Sequence, residues 1–198
     1  MTPLLIATQN RGKLKEFESL LCGTLKTVMA DERAPQVDEN GATYAENAFK
    51  KAKAFQEVYK CPVLSDDSGL EIDVLNGAPG LWSARFGGEN ISWEERFQKL
   101  YQLLAPYPQK AWSARFRCVL CLILPNQEPV YFEGLCEGQI DGAPKGHGGF
   151  GYDPIFYSKQ LGKSLGEANP AEKALVSHRA QAVQALLEWI KNNPHKLS

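Results

Sequence analysis

VLSDDSGLEIDV, residues 63–74, sets two aspartates side by side, Asp66 and Asp67, directly after an apolar run. Adjacent carboxylates repel. In a half-buried site each also loses hydration, a cost that something positive must offset. Two readings answer the pair. In one, PVLSDD and LEIDVL are two strands, and Ser68 with Gly69 closes a polar turn between them. In the other, the pair holds a divalent cation.

Outward from this stretch, strand and helix patterns alternate. LLIAT (4–8) reads as a strand entering a polar turn, and KLKEFESLL follows with Leu14, Phe17, Leu20 and Leu21 at helical spacing. TVMA (27–30) reads as a strand and DERAPQVDENGA as loop. Thr43 and Glu46 form a capping box that opens a helix through TYAENAFKKAKAFQEVYK. GAPGLWSARFGGEN (77–90) is loop-rich, and Ser92 with Glu95 caps the next helix. ARFRCVLCLIL and PVYFEGLCEGQI form a hairpin across PNQE. Asn169 and Pro170 start a last helical region. The mixture predicts an α/β fold with a mixed β-sheet.

The 198 residues suit a single domain. A net charge of -1 gives no global field for nucleic acid or for an anionic membrane. No apolar run approaches the ~20 residues of a membrane span. The N-terminal stretch does not read as a signal peptide. Five cysteines, an odd number without a secretory signal, predict a reduced, cytoplasmic chain. Cys118 and Cys121 form a C-x-x-C within a buried-strand pattern. Positions three apart on a strand face opposite ways, which argues against a shared metal or redox pair.

Four places could carry chemistry. In TQNRGK (8–13) a strand ends and a helix begins, so the helix N-terminus offers N–H groups to phosphate. Thr8 and Asn10 add donors, and Lys13 adds charge. The DDSG stretch has Asp38 and Glu39 as candidate helpers around magnesium, and one carboxylate could take a proton from water. GHGGFGYDP (146–154) carries a literal G-x-G-x-x-G, but Tyr152-Asp153-Pro154 bars the helix that a dinucleotide site needs. It reads as a loop that approaches a ligand closely, with Phe150 and Tyr152 to stack on a base and Asp153 to meet its edge. Lastly, a helix break before Ser177 would turn Lys173, His178 and Arg179 towards one pocket. His147 and His195 gain no role.

Together these stretches resemble the inosine/xanthosine triphosphate pyrophosphatase (Ham1-like) family. The resemblance rests on Thr8, Asn10 and Lys13; on DDSGLEIDVLNGAPGLWSARF from Asp66 to Phe86; on GGFGYDPIF (148–156); and on Glu172-Lys173 followed by Ser177-His178-Arg179. It implies an elongated mixed sheet flanked by helices, two lobes with a central substrate cleft, and a homodimer. It also implies cleavage of ITP, dITP and XTP between the α and β phosphates, with Mg2+. Thr8, Asn10, Lys13 and Ser68 would then hold the substrate's phosphates, with Lys173 adding charge, and Gln9, Arg11 and Gly12 would belong to the same substrate-binding loop. Asp67 would be the catalytic base and a metal ligand. Asp38 would be the second ligand by position, or else Glu39, and Asp66 would support the site. Phe150, Gly151, Tyr152, Asp153, His178 and Arg179 would meet the base. The nearest rivals are a Maf-like pyrophosphatase acting on pyrimidine or modified nucleotides and a non-catalytic nucleotide- or RNA-binding module. Clustered carboxylates and near-zero charge argue against RNA.

Overall fold

Strand β1 (Leu4–Ala7) shows why this chain builds a layered α/β fold. All four of its residues are buried. Leu4 and Ile6 join one apolar cluster, and Leu5 and Ala7 join another. A strand buried on both faces must be covered by helices on both sides. The structure, a computed structural model, describes residues 3–88 and 90–197. Glu89, within the segment expected as loop, lies outside the described residues.

Among the described residues, helices α1 (Arg11–Leu21), α2 (Tyr44–Tyr59), α3 (Trp93–Leu104), α4 (Pro170–Val176) and α5 (His178–Asn192) accompany seven strands. The remaining strands are β2 (Thr27–Met29), β3 (Val63–Ile72), β4 (Ser113–Ile123), β5 (Val130–Ile140), β6 (Phe156–Ser158) and β7 (Lys163–Ser164). They form one mixed sheet in the order β2-β1-β3-β4-β5-β6-β7. β1 runs parallel to β2 and to β3, whereas β6 runs antiparallel to β5 and to β7.

The chain divides into two compact units and passes from one to the other within β3, β4 and β5 and again after His178. In the first unit, Phe17 and Leu21 of α1 and Ala182, Val183 and Leu186 of α5 cover the face that carries Leu64, Cys118 and Leu120. Ala48, Ala52 and Phe55 of α2 cover the face that carries Val63 and Cys121. The C-x-x-C is thus split between two clusters, as its spacing on a strand requires. In the second unit, Phe97, Leu100 and Leu104 of α3 pack with Leu70, Ile72, Phe116, Tyr152 and Phe156.

Local signals set the helix ends. Ser92 and Glu95 form a reciprocal capping box on α3, and Asn169 and Glu172 form another on α4, with Pro170 at its first position. On α2 the box is half made: Thr43 Oγ1 accepts from Glu46 N at 3.1 Å, but Glu46 Oε2 accepts from Ala42 N. Ser177 is extended and ends α4, so the expected break is present. The structure overturns one expectation outright. DDSG is not a turn: β3 is a single ten-residue strand that runs straight through it. Gly69 is buried there, and the apolar residues on either side pull the whole stretch into the sheet.

Candidate active site

A continuous β3 changes the question of the two aspartates, because successive side chains on a strand point to opposite faces. Asp66 shares the parity of Leu64 and lies on the α1/α5 side. Lys13 Nζ of α1 is 2.8 Å from its Oδ2, and Arg179 Nη2 of α5 is 3.2 Å away. Asp67 shares the parity of Val63 and Ser65 and lies on the α2 side. Its Oδ2 accepts from Asn47 Nδ2 at 2.9 Å, and Ser65 Oγ donates to the Ala48 carbonyl on that same side. The pleat itself therefore keeps the two charges apart, and no shared cation is needed to reconcile them.

Burial alone would raise the proton affinity of Asp66, which is wholly buried, but Lys13, Arg179 and Lys51 outweigh it and hold the carboxyl well below the usual range. Arg179 is likewise 1% exposed. It pairs with Glu16 as well as Asp66, and its guanidinium lies over the Phe17 ring at 5.7 Å. Expected at the edge of a base, Arg179 is instead buried among these partners.

Asp67 goes the other way. Burial pushes its carboxyl above the ordinary 3.8, and the negative charge of Glu39 adds to the rise against Lys13, Asn47 and Lys51. Lys51 is buried on α2; its Nζ meets Glu39 Oε1 at 2.5 Å and donates to the Asp66 carbonyl at 2.9 Å. Glu39 thus faces the Asp67 side. Asp38, expected as the second metal ligand by position, is exposed and makes no ion pair or hydrogen bond among the described residues.

The helix N-terminus at residues 8–13 is partly closed already. Asn10 caps α1, its Oδ1 accepting from Gly12 N at 2.9 Å and Lys13 N at 3.1 Å. That leaves the Asn10 amide donors, the Arg11 N–H and the Thr8 hydroxyl for phosphate. Thr8 Oγ1 itself accepts from Asn10 N at 3.2 Å. Gln9 and Arg11 are exposed, and Gly12 is half-buried.

The second unit gathers the remaining residues. Asp153, 2% exposed, accepts from Phe150 N at 2.7 Å through Oδ2 and forms an ion pair with Lys173. The Lys173 ammonium also lies 4.8 Å from the centroid of the half-buried Phe150 ring. A side chain at Gly149, where φ is +68°, would collide with the Asp153 carboxylate. Gly151 has φ +67°. Tyr152 departs from expectation: it is a core residue, edge-on to Trp93 at 5.1 Å, and its hydroxyl donates to the Ser83 carbonyl at 2.9 Å. His178 is buried and stacks on Phe116 at 4.8 Å. Ser68 is half-buried on β3.

Three residues escaped the sequence reading: Asn47 and Lys51 around Asp67, and Glu16 beside Arg179. A signal for the first two was present. Tyr44, Asn47, Ala48, Lys51, Ala52 and Phe55 form the buried stripe of α2, and two polar residues on such a stripe need buried partners.

The Ham1 family model matches residues 4–189. The chain belongs to the Ham1 family. Among Ham1 relatives, the dITP/XTP pyrophosphatase of Halalkalibacterium halodurans is 42% identical over 193 residues, covering 96% of this chain and 100% of that protein. That of Escherichia coli K12 is 39% identical, covering 97% of this chain and 100% of its own. The Ham1 protein structure from Coxiella burnetii superposes with a TM-score of 0.87 at 37% identity, covering 97% of this chain and 100% of that one. The Staphylococcus aureus Ham1 structure gives 0.86 at 35% identity, covering 96% and 99%. The mixed-sheet α/β architecture is therefore the Ham1 fold. Among the described residues no helix is long and apolar enough to cross a membrane.

The donors near Asp67 suit one class of metal. Among the described residues no group of three or more His, Cys, Asp or Glu could hold an ion. Asp67 and Glu39 offer hard carboxylate oxygens, the donor type that Mg2+ takes together with water and phosphate oxygens. The residues fit that ion.

Proposed function

We propose that this protein hydrolyses purine nucleoside triphosphates with a 6-keto base, dITP, ITP and XTP, to the monophosphate and pyrophosphate. The observation that carries the reading is Asp67, a buried carboxylate of raised proton affinity, in a chain similar end to end to dITP/XTP pyrophosphatases. Asp67 takes a proton from the water that attacks the α-phosphate, and its desolvated site makes it a better base than an exposed aspartate. Asp67 and Glu39 would hold Mg2+, which would offset phosphate charge and favour ionised water. Thr8, the Asn10 amide, the Arg11 N–H, Ser68 and Lys13 hold the phosphates. Asp66 keeps Lys13 in place.

The base goes to the Phe150 ring. Deamination replaces a 6-amino donor with a 6-keto acceptor. The Lys173 ammonium beside that ring and the imidazole of His178 offer donors. A keto oxygen meets them, whereas an amino group would leave donor against donor. Arg179 belongs to the support of Asp66 in this reading. The protein works in the cytoplasm as a homodimer.

The test is pyrophosphate release from dITP, ITP, XTP, GTP, ATP and dTTP, with Mg2+ and with EDTA. Fast release from the first three alone, abolished by EDTA, is the expected result. Release from dTTP alone moves the substrate class, and no release from any of them removes the activity. Phe150→Ala raises KM for ITP and XTP alike, by the ~1–3 kcal/mol that one stacked base contributes.

A further inference from the structure

We propose that Asn47 is a positioning residue whose single amide sets the Asp67 carboxylate against the loop that carries Glu39. The inference deepens the function proposed above and rests on its metal site. Four consecutive loop residues each meet a side chain of α2. Glu39 pairs with Lys51, Asn40 Oδ1 accepts from Lys50 Nζ, Gly41 N donates to Asn47 Oδ1, and Ala42 N donates to Glu46 Oε2. Of these four side chains, Asn47 is the one whose other end reaches the Asp67 carboxylate.

The geometry fixes which way the amide points. Its Oδ1 accepts from Gly41 N at 2.7 Å, so the group 2.9 Å from Asp67 Oδ2 is the NH2 donor. Asn47 is 1% exposed, between Ala48 and the rest of the α2 stripe. A buried amide is retained there because both its ends are met. Gly41 belongs to the same device. A Cβ at this position would lie 2.8 Å from Asn47 Oδ1 and 2.8 Å from Glu46 Cβ, so a residue without one lets the backbone come close enough. One side chain thus ties the Asp67 carboxylate to the backbone of the loop that carries Glu39. Partners behind metal ligands act in this way, and losing one costs about 10–100-fold in metal affinity or rate.

The experiment titrates Mn2+ into the metal-free full-length protein without nucleotide and measures kcat and KM for ITP in parallel. Asn47→Ala is expected to lower Mn2+ affinity and kcat each by about 10–100-fold, with KM unchanged. Asn47→Asp keeps the acceptor for Gly41 N but sets a carboxylate against Asp67, and its kcat falls like that of the alanine variant. Gly41→Ala displaces Asn47 from the other side; its loss is smaller and combines with Asn47→Ala to less than the sum. Wild-type kcat and Mn2+ affinity in Asn47→Ala, or wild-type kcat in Asn47→Asp, overturns the proposal. If the alanine variant does not fold, unchanged values in Gly41→Ala overturn it instead. A wild-type chain that binds Mn2+ but releases no pyrophosphate from ITP removes the activity alone, and the Mn2+ titration still decides for or against Asn47. A wild-type chain that binds no Mn2+ overturns the proposal together with the metal site.

Discussion

Asp66 and Asp67 stand on opposite faces of one strand, and the two faces treat a carboxylate in opposite ways. On the α1/α5 face, Asp66 meets Lys13 and Arg179, and its proton affinity falls. On the α2 face, burial and the charge of Glu39 outweigh Lys13, the Asn47 amide and Lys51, and the proton affinity of Asp67 rises. Burial raises the proton affinity of both, and the partners decide whether it prevails: Lys13, Arg179 and Lys51 overcome it at Asp66, and Lys13, Asn47 and Lys51 do not at Asp67. One face builds a structural ion cluster and the other carries the carboxylate proposed as the base, within a single peptide step.

The largest effect that tests this contrast is on rate. Asp67→Asn removes the proposed base and proposed metal ligand, and kcat for ITP should fall by about 10²–10⁴-fold, the range that one general base contributes. Stability should move the other way. An acid whose folded pKa is raised contributes stability below its unfolded value near 3.8, and that contribution is lost as pH rises through the folded value. Ionised Asp67 therefore costs stability at neutral pH in metal-free buffer. Asp67→Asn should melt at or above the wild-type temperature there, and a clear drop in Tm would make Asp67 a structural residue.

Asp66→Asn should show the reverse pattern. It leaves Lys13 and Arg179 beside a neutral group, and breaking a buried pair costs about 3–5 kcal/mol. Urea unfolding at pH 7 measures it. The pH dependence fixes the cause. A depressed carboxylate contributes stability in full above its unfolded value near 3.8, and that contribution is lost as pH falls from there through the folded value. The gap between wild type and Asp66→Asn should close as pH drops below about 4. A gap that stays constant would assign the loss to packing rather than charge.

Glu39→Gln comes next. It removes a charge from the Asp67 face without removing the base, so kcat should fall less than in Asp67→Asn, by about 10–100-fold. Raising the Mg2+ concentration should recover part of the loss. Unchanged Mg2+ dependence would take Glu39 out of the metal site.

Much of this contrast was legible in the sequence, and the part that was not has a physical reason. Ser92 and Asn169 placed their helix starts because a cap acts on its own next few residues, and the spacing of Leu14, Phe17, Leu20 and Leu21 marked α1. The separation of Cys118 from Cys121 followed from strand parity alone. The same parity would have separated Asp66 from Asp67, but DDSG is also good turn chemistry. Only the sheet on either side decides that it stays extended. Arg179 was readable as a polar group, and Tyr152 as a stacking ring, near a ligand. Their burial depends on Glu16, Asp66 and Ser83, residues far away in sequence. Asn47 went unnoticed because its partners, Gly41 and Asp67, lie on a loop and a strand that local pattern does not join.

The smallest expected effect separates two neighbours in the loop. Asp38 and Glu39 are both acidic, and position in the chain favours Asp38 as the metal ligand. The structure exposes Asp38 and ties Glu39 to Lys51 beside Asp67. Surface substitutions away from special contacts usually shift a free energy by within ~0.5 kcal/mol, about twofold in an equilibrium or a rate. Asp38→Asn should therefore keep kcat, KM for ITP and Mg2+ dependence within about twofold of wild type. Measured beside Glu39→Gln, it asks whether one residue along the chain changes the role as sharply as one residue along β3 does. A loss in Asp38→Asn equal to that in Glu39→Gln would mean that the loop turns its other carboxylate inward when the metal binds.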